Sequence, residues 1–480
     1  MSSHSSPLDA AFNAEAFRET GHRLMDQLAD YLRASLARSD TPVLPAIGPE
    51  AMLREWPGDF SEHPGTDFQT IIGRVLRLSH NLQHPRYIGH QCCTALPLAA
   101  LNDLVGTFLN NASAVYEMGP VNIAMEKRLV QWMATLAGYG PEADGIFTNG
   151  GTLGNLTALL SARQVKADYN IWTEGVDSGR PLAVLVSEQC HYSVKRAVSV
   201  MGLGERAVYP VAVDREFHMD REDLARQYKK ATGEDRRVFA VVANGCSTAT
   251  GSFDDLEAVA DFTREHDLWL HVDAAHGGSA LLSGKYRSLL KGLNRADSLI
   301  WDAHKMMMIP ALATAVLFRE GRHSYESFSQ KASYLFEKES REEWYNYAHR
   351  TMECTKTMMG IKLYVPLAVY GTGIFREFID RTYDLTRAFA DLIEASPDFE
   401  LAVRPQSNII CFRYLPDGIA DPDDLQRRIR RRVLERERFY IVQTDLKKRF
   451  YLRCTVINPG TTIGDIEELL QHIRETAAEI

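Results

Sequence analysis

The chain has 480 residues, of which 45% are hydrophobic and 24% charged, with a formal net charge of −9. That length exceeds what one hydrophobic core supports and calls for two or three domains, while the acidic balance excludes general nucleic-acid binding. Seven cysteines without regular spacing, two of them adjacent at Cys92 and Cys93, form neither a disulfide framework nor a zinc pair and suit thiols kept reduced in a cytoplasm.

The opening stretch MSSHSSPLDAAFNAEAFRE lacks a basic region followed by an apolar one, so no signal peptide is expected. Residues 13–37 carry helical periodicity, with Phe17, Leu24, Leu28, Tyr31 and Leu32 at three- and four-residue steps. Pro42, Pro45 and Pro49 break it, and a second helix is expected over 67–79. This part is too thin to hold its own core and is expected to pack on something else, such as a partner subunit. The apolar run 95–109 carries Asn102 and Asp103 and is too short to span a membrane. A helix is expected over 121–136.

A short apolar run, 145–147, leads into Asn149-Gly150-Gly151-Thr152, and an apolar helix is expected from about Leu153. Free N–H groups at a helix start bind phosphate, and glycine lets an anion approach closely; a tight turn before a helix explains the same residues. Strands are expected at 182–186, 238–243, 268–273, 298–301 and 313–318, alternating with helices. That pattern implies an α/β fold whose mostly parallel sheet is covered on both faces. His191, Ser247, Asp273 and Lys305 all fall at or just past carboxyl ends of these strands, where such sheets bind ligands.

Asp273 lies among apolar neighbours, and Lys305 arrives with Asp302 and His304. A lysine for a Schiff base and an acid for a pyridine nitrogen are the needs of pyridoxal phosphate. A zinc site built from His271, Asp273, His276, Asp302 and His304 is the alternative, but it gives Lys305 no role. Residues 324–350 are rich in charge and aromatics, lack a clear period and include Tyr345, Tyr347 and His349. Long stretches without regular structure are often active-site lids. A helix is expected over 362–372, then a smaller α+β domain with strands at 407–414 and 450–456 and a last helix over 466–479. The basic run 427–432 reads as the wet face of a helix.

Eight blocks in order, FRETGHRLMDQLADYL, HPRYIG, YEMGPVNIAMEK, TNGGTLGNLTAL, SEQCHYSVKRAV, HVDAAHGG, DAHK and YLRCTVINPGTT, carry a resemblance over nearly the whole chain. The chain resembles the group II pyridoxal-phosphate-dependent amino-acid decarboxylases, the family of the glutamate, aromatic amino-acid, cysteine sulfinate and 2,4-diaminobutyrate enzymes. The resemblance implies the α/β architecture of fold type I: a large seven-stranded, mostly parallel sheet domain (83–372), an N-terminal helical segment (1–82) and a small α+β domain (373–480). It implies a homodimer with active sites at the interface, and conversion of an L-amino acid to its amine and CO2. Position by position it makes Lys305 the Schiff-base lysine and Asp273 the partner of the pyridine nitrogen. Ala275 and His191 take the two ring faces, Gly151 and Thr152 the phosphate, and Ser247 and His304 the pocket wall. Tyr347, or else Tyr345, is expected to return a proton to Cα from a closing loop. Met306 after the lysine, Cys246-Ser247 where Gly-Thr is common, and the TLGN segment depart from the family pattern. YEMGP and SNIICFRYLP point to a polar, nonaromatic amino acid such as glutamate, aspartate or 2,4-diaminobutyrate. Aromatic substrates and other fold type I chemistry, transamination or carbon–carbon lysis, are the alternatives. Arg404 and Arg413 are candidates to anchor a side-chain carboxylate.

Overall fold

The computed structural model describes residues 6–39, 41–56, 58, 60, 65–328 and 343–480. The centre of the expected lid, 329–342, therefore lies outside the described residues.

Two amino-terminal helices, Ala14–Leu36 and Phe68–Leu78, start where a polar side chain accepts an orphan amide hydrogen: Asn13 from Ala16, and Asp67 from Thr70. They pack on each other, yet Phe17, Leu28, Leu36, Phe68 and Ile71 remain exposed. The apolar run near residue 100 becomes the helix Pro97–Leu109, opened by proline at its first turn.

Seven strands form the large sheet: β1 (Asp144–Thr148), β2 (Leu182–Ser187), β3 (Val208–Val211), β4 (Arg237–Asn244), β5 (Trp269–Asp273), β6 (Ser298–Asp302) and β7 (Thr314–Phe318). Their order is β1-β7-β6-β5-β4-β2-β3. Neighbours from β3 through β6 are parallel, and only β7 runs against its neighbours β6 and β1. Alternate residues feed opposite faces. Val184, Val242 and Ile300 pack with Leu159 of the helix Gly151–Lys166 on one side. Leu185, Val241 and Leu299 pack with Met133 of the helix Pro120–Leu136 on the other. This double cover explains why β2, β5, β6 and β7 are buried at every residue. A side chain at Gly145 would put its Cβ 2.1 Å from the Val316 carbonyl oxygen, so β1 meets β7 only through glycine.

The smaller sheet is antiparallel, in the order β10-β11-β9-β8, with β8 at Phe399–Leu401, β9 at Ile409–Tyr414, β10 at Val442–Leu446 and β11 at Arg449–Thr455. Helices Gly373–Glu394, Pro422–Glu435 and Ile463–Ala478 bury Phe389, Ile429 and Leu469 against it. The basic run lies on Pro422–Glu435, where Leu425, Ile429 and Val433 face inward and Arg427, Arg428, Arg431 and Arg432 face solvent. The strands β3, β8 and β10 and the 22-residue helix Gly373–Glu394 were not expected from sequence.

Candidate active site

The carboxyl ends of β1, β2, β4, β5 and β6 open onto one cavity of about 280 Å³. From β1 the chain turns through Asn149 and Gly150, whose φ of 93° favours glycine, into the 16-residue helix Gly151–Lys166. No side chain caps that helix, so its first N–H groups stay available, and Gly150, Gly151 and Thr152 line the cavity. This is a cradle for an anion. Asn149 is tied from outside, donating to Glu353 at 2.7 Å.

β5 ends in Asp273. One carboxylate oxygen accepts from the Ala275 amide at 3.2 Å and the other from Asn155 at 2.9 Å. β6 ends in Asp302, and one short turn later come His304 and Lys305. The Lys305 Nζ lies 3.1 Å from Asp302, which also accepts from Thr314 at 2.5 Å. Burial works against the Lys305 ammonium, but Asp302 and Asp273 together outweigh it and hold its pKa above the ordinary lysine value.

Past β2, His191 caps the helix Tyr192–Val200 and lines the cavity with its Nδ1 2.7 Å from the Ser193 hydroxyl. Burial, partly opposed by the Asp273 charge, lowers its pKa and keeps the ring neutral. Ala275 and His304 also line the cavity. After β4 the expected Ser247 does not. It turns away to share a 2.9 Å hydrogen bond with Thr250, while Cys246 and Thr248 face inward. The cause is the backbone at Cys246, whose φ of 107° breaks the alternation a strand would give.

Among the described residues, the histidines of the alternative zinc reading have other partners. Both ring nitrogens of His271 are engaged, by Ser298 and by Asn155, each at 2.9 Å, and His276 Nε2 is held 2.7 Å from Asn408.

The tyrosines fall elsewhere. Tyr347 is fully buried in the core, its hydroxyl 3.4 Å from the Ile123 carbonyl oxygen and its ring flanked by Arg350 and Lys356. Tyr345 packs edge-on against Tyr116 and Trp344. Neither is among the residues that line the cavity, and the Tyr347 hydroxyl faces the backbone of the helix Pro120–Leu136. The described residues that follow the expected lid are held by the ion pairs Arg350–Asp144 and Lys356–Glu126, each at 2.8 Å.

Both candidate anchors are already ion-paired. Arg404 is an exposed residue paired with Asp391 and Glu394, and Arg413 is paired with Asp423 at 2.7 Å. Among the described residues two buried arginines lack an acidic partner, Arg163 and Arg453; the one near the cavity is Arg453 on β11, which no sequence argument singled out. Its side chain is 4% exposed, its Nε donates to the Ala249 carbonyl at 3.1 Å, and its Nη2 has no partner among the described residues. Burial lowers its pKa, and its charge reaches the cavity-lining Cys246 and His276. Arg453 belongs to the block YLRCTVINPGTT, but nothing in the local sequence marks its burial.

A profile of the pyridoxal-dependent decarboxylase conserved domain matches residues 49–415. The chain belongs to that family. Mouse acidic amino acid decarboxylase GADL1 is 31% identical over 413 residues, covering 83% of this chain and 74% of that protein. An aromatic-L-amino-acid decarboxylase of Bacillus atrophaeus is 26% identical over 476 residues, covering 98% and 97%. The crystal structure of mouse CSAD superposes with a TM-score of 0.87 at 27% identity, covering 95% of this chain and 98% of that one. This pyridoxal-dependent decarboxylase is thus an amino-acid carboxy-lyase with the α/β fold expected. The residues present fit its cofactor: an anion cradle, a carboxylate and a lysine face one small cavity.

Proposed function

We propose that this decarboxylase converts an L-amino acid with an acidic side chain, of the glutamate, aspartate or cysteine sulfinate kind, to its amine and CO2. The observation that carries the substrate class is Arg453, a buried guanidinium with no acidic partner among the described residues, whose charge acts on the cavity-lining Cys246 and His276. A buried cation without a partner is costly and is accounted for if an anion joins it. A cation bound to the departing α-carboxylate would stabilise a charge that vanishes as CO2 forms, which slows the step. Arg453 therefore suits the carboxylate that stays on the product. The similarity to mouse GADL1, an acidic amino acid decarboxylase, agrees with an acidic substrate.

Pyridoxal phosphate, when bound, supplies the sink for the electron pair left by CO2. Lys305 would hold its aldehyde carbon, Asp273 its ring nitrogen, Gly150 to Thr152 its phosphate, and Ala275 and His191 its two faces. Asp302 keeps Lys305 in place at 3.1 Å, and the neutral His191 adds no second positive charge to the cavity. Much of the rate comes from orientation, because the bond to be broken must stand perpendicular to the ring.

The active species is a homodimer. Leu104, Val105 and Phe108 on Pro97–Leu109 stay exposed beside Phe17, whose tilted ring lies 5.3 Å from that of Phe108, and a second copy would cover this apolar face. We place the enzyme in the cytoplasm, where its seven free cysteines would stay reduced; among the described residues no helix is long and apolar enough to cross a membrane.

The Bacillus relative keeps one alternative in view, an aromatic amino acid. A panel of L-amino acids, including glutamate, aspartate, cysteine sulfinate, 2,4-diaminobutyrate and the aromatic members, assayed for CO2 and amine, decides between them. Acidic members should give the highest kcat/KM. Faster turnover of the aromatic members would sink the acidic reading, and formation of a keto acid in place of CO2 would sink decarboxylation itself.

A further inference from the structure

A continuous chain of hydrogen bonds runs from the core of the large sheet to the cavity. Trp269 Nε1 donates to the Ser298 hydroxyl at 2.9 Å, which lies 2.9 Å from His271 Nδ1. His271 Nε2 lies 2.9 Å from Asn155 Oδ1. Asn155 Nδ2 reaches both Asp273 and the Ser193 hydroxyl at 2.9 Å, and Ser193 reaches His191 Nδ1 at 2.7 Å. Asn155, Ser193, His271 and Ser298 are each at most 1% exposed, so water does not compete for these bonds.

The polarity of this chain is fixed from two ends. An ionised carboxylate only accepts, so the Asn155 group facing Asp273 must be its NH2, and its oxygen must face His271. That requires the His271 proton on Nε2 and leaves Nδ1 bare. The bare Nδ1 accepts from Ser298, which is possible because Trp269, a donor only, fills a lone pair of the Ser298 oxygen. Toward the cavity, the second Asn155 hydrogen enters the Ser193 oxygen, and the Ser193 proton points at His191 Nδ1. The Ser193 backbone amide also points at that nitrogen, from 3.3 Å. His191 Nδ1 thus carries no proton, and the neutral ring holds its one proton on Nε2.

We propose that Asn155 is a positioning residue that couples the Asp273 carboxylate to the tautomer of His191, so that this cavity-lining ring presents Nε2–H as a donor rather than a lone pair. The inference deepens the decarboxylase reading and rests on it for the catalytic consequence only. A histidine in the wrong tautomer cannot give the hydrogen bond its site needs. Ser193 is the relay, and His271, Ser298 and Trp269 brace Asn155 from behind.

The test is histidine-selective 15N NMR on the full chain at neutral pH, with and without pyridoxal phosphate, the His191 signals being assigned by their loss in His191→Gln. Wild type should show His191 neutral with the proton on Nε2. Ser193→Ala and Asn155→Ala should each give a mixture of tautomers, and Ser193→Thr, which keeps the hydroxyl, should restore the single form. In the same order, kcat should fall about 10–100-fold with KM little changed, the scale set by partners that orient functional rings, and recover in Ser193→Thr. A wild-type His191 protonated on Nδ1, or on both nitrogens, overturns the proposal. So does retention of the Nε2–H form and wild-type kcat in both Ala variants. The spectrum without cofactor is independent of the reaction, so failure to decarboxylate would leave the tautomer result standing on its own.

Discussion

Replacing Arg453 with methionine should stabilise the protein and cripple it at once. Arg453 is 4% exposed, lacks a carboxylate partner, and has its charged form disfavoured by burial. The effective penalty for such an ion is several kcal/mol. Against this, the substitution removes one hydrogen bond, Nε to the Ala249 carbonyl at 3.1 Å, a charge-assisted contact of about 1.5–3 kcal/mol. Methionine fills most of the same volume. The net expectation is a gain of about 1–3 kcal/mol in the substrate-free protein, as the difference of those two terms. Urea denaturation should show it as a higher midpoint with an unchanged slope. For an acidic substrate the lost ion pair costs about 2–5 kcal/mol, a fall of roughly 30- to 5,000-fold in kcat/KM. CO2 release measured over a range of substrate concentrations reads this directly. A variant that is less stable and just as active would refute both the uncompensated charge and its role in recognition.

Four other outcomes follow from the same geometry. Borohydride should trap cofactor on Lys305 in wild type and not in Lys305→Ala, while Asp273→Ala should fold yet lose turnover by orders of magnitude, as peptide mapping and CO2 assays would show. Lys356→Met strands Glu126 in a site where both partners are fully buried; the expected loss is about 3–5 kcal/mol, read by chemical denaturation, and a loss under 1 kcal/mol would mean the pair is not charged in the fold. Tyr347→Phe removes a hydroxyl whose partner among the described residues is the Ile123 carbonyl at 3.4 Å, so in this arrangement steady-state turnover should stay near wild type; abolished turnover would assign the donor role to it. Burial pushes the pKa of His271 down to about 4 and of His276 to about 3, whereas an unfolded histidine titrates near 6.5. The neutral rings therefore contribute fully above the unfolded value, and that contribution is lost as pH falls toward the folded values, by about 2 kcal/mol for each histidine between pH 6.5 and 5. Buried Asp254, raised to about 6, has the opposite sign and loses its contribution as pH rises through that value. Comparing urea midpoints of wild type and His276→Asn across this range isolates one histidine, and equal slopes would contradict its buried neutral state.

The strands that lead to Asp273 and Lys305 were legible because each is a short run buried on both faces, so its letters are mostly apolar. The helix over residues 13–37 and the anion cradle before Gly151 were legible as well, since caps and glycine turns are written locally. What escaped is what depends on neighbours. β3, with an exposed proline, and β10, exposed along its middle, have no run long enough to announce themselves. The strand order, with β7 reversed between β6 and β1, follows from how helices cross the sheet rather than from any one segment. Ser247 was expected in the cavity from the family resemblance, and one residue at positive φ handed its place to Cys246 and Thr248. Tyr347 looked like a loop aromatic because burial against Lys356 and Ile123 involves partners distant from any local pattern. Arg453 lies 148 residues beyond Lys305 in the chain, on a different sheet, and only the packing of the small domain over Ala249 shows that its charge is buried and unanswered. Local chemistry is set by the letters, but whether a charge is paired, a hydroxyl reaches a cavity, or an imidazole is held in one tautomer depends on which distant groups the tertiary fold brings within about 3 Å.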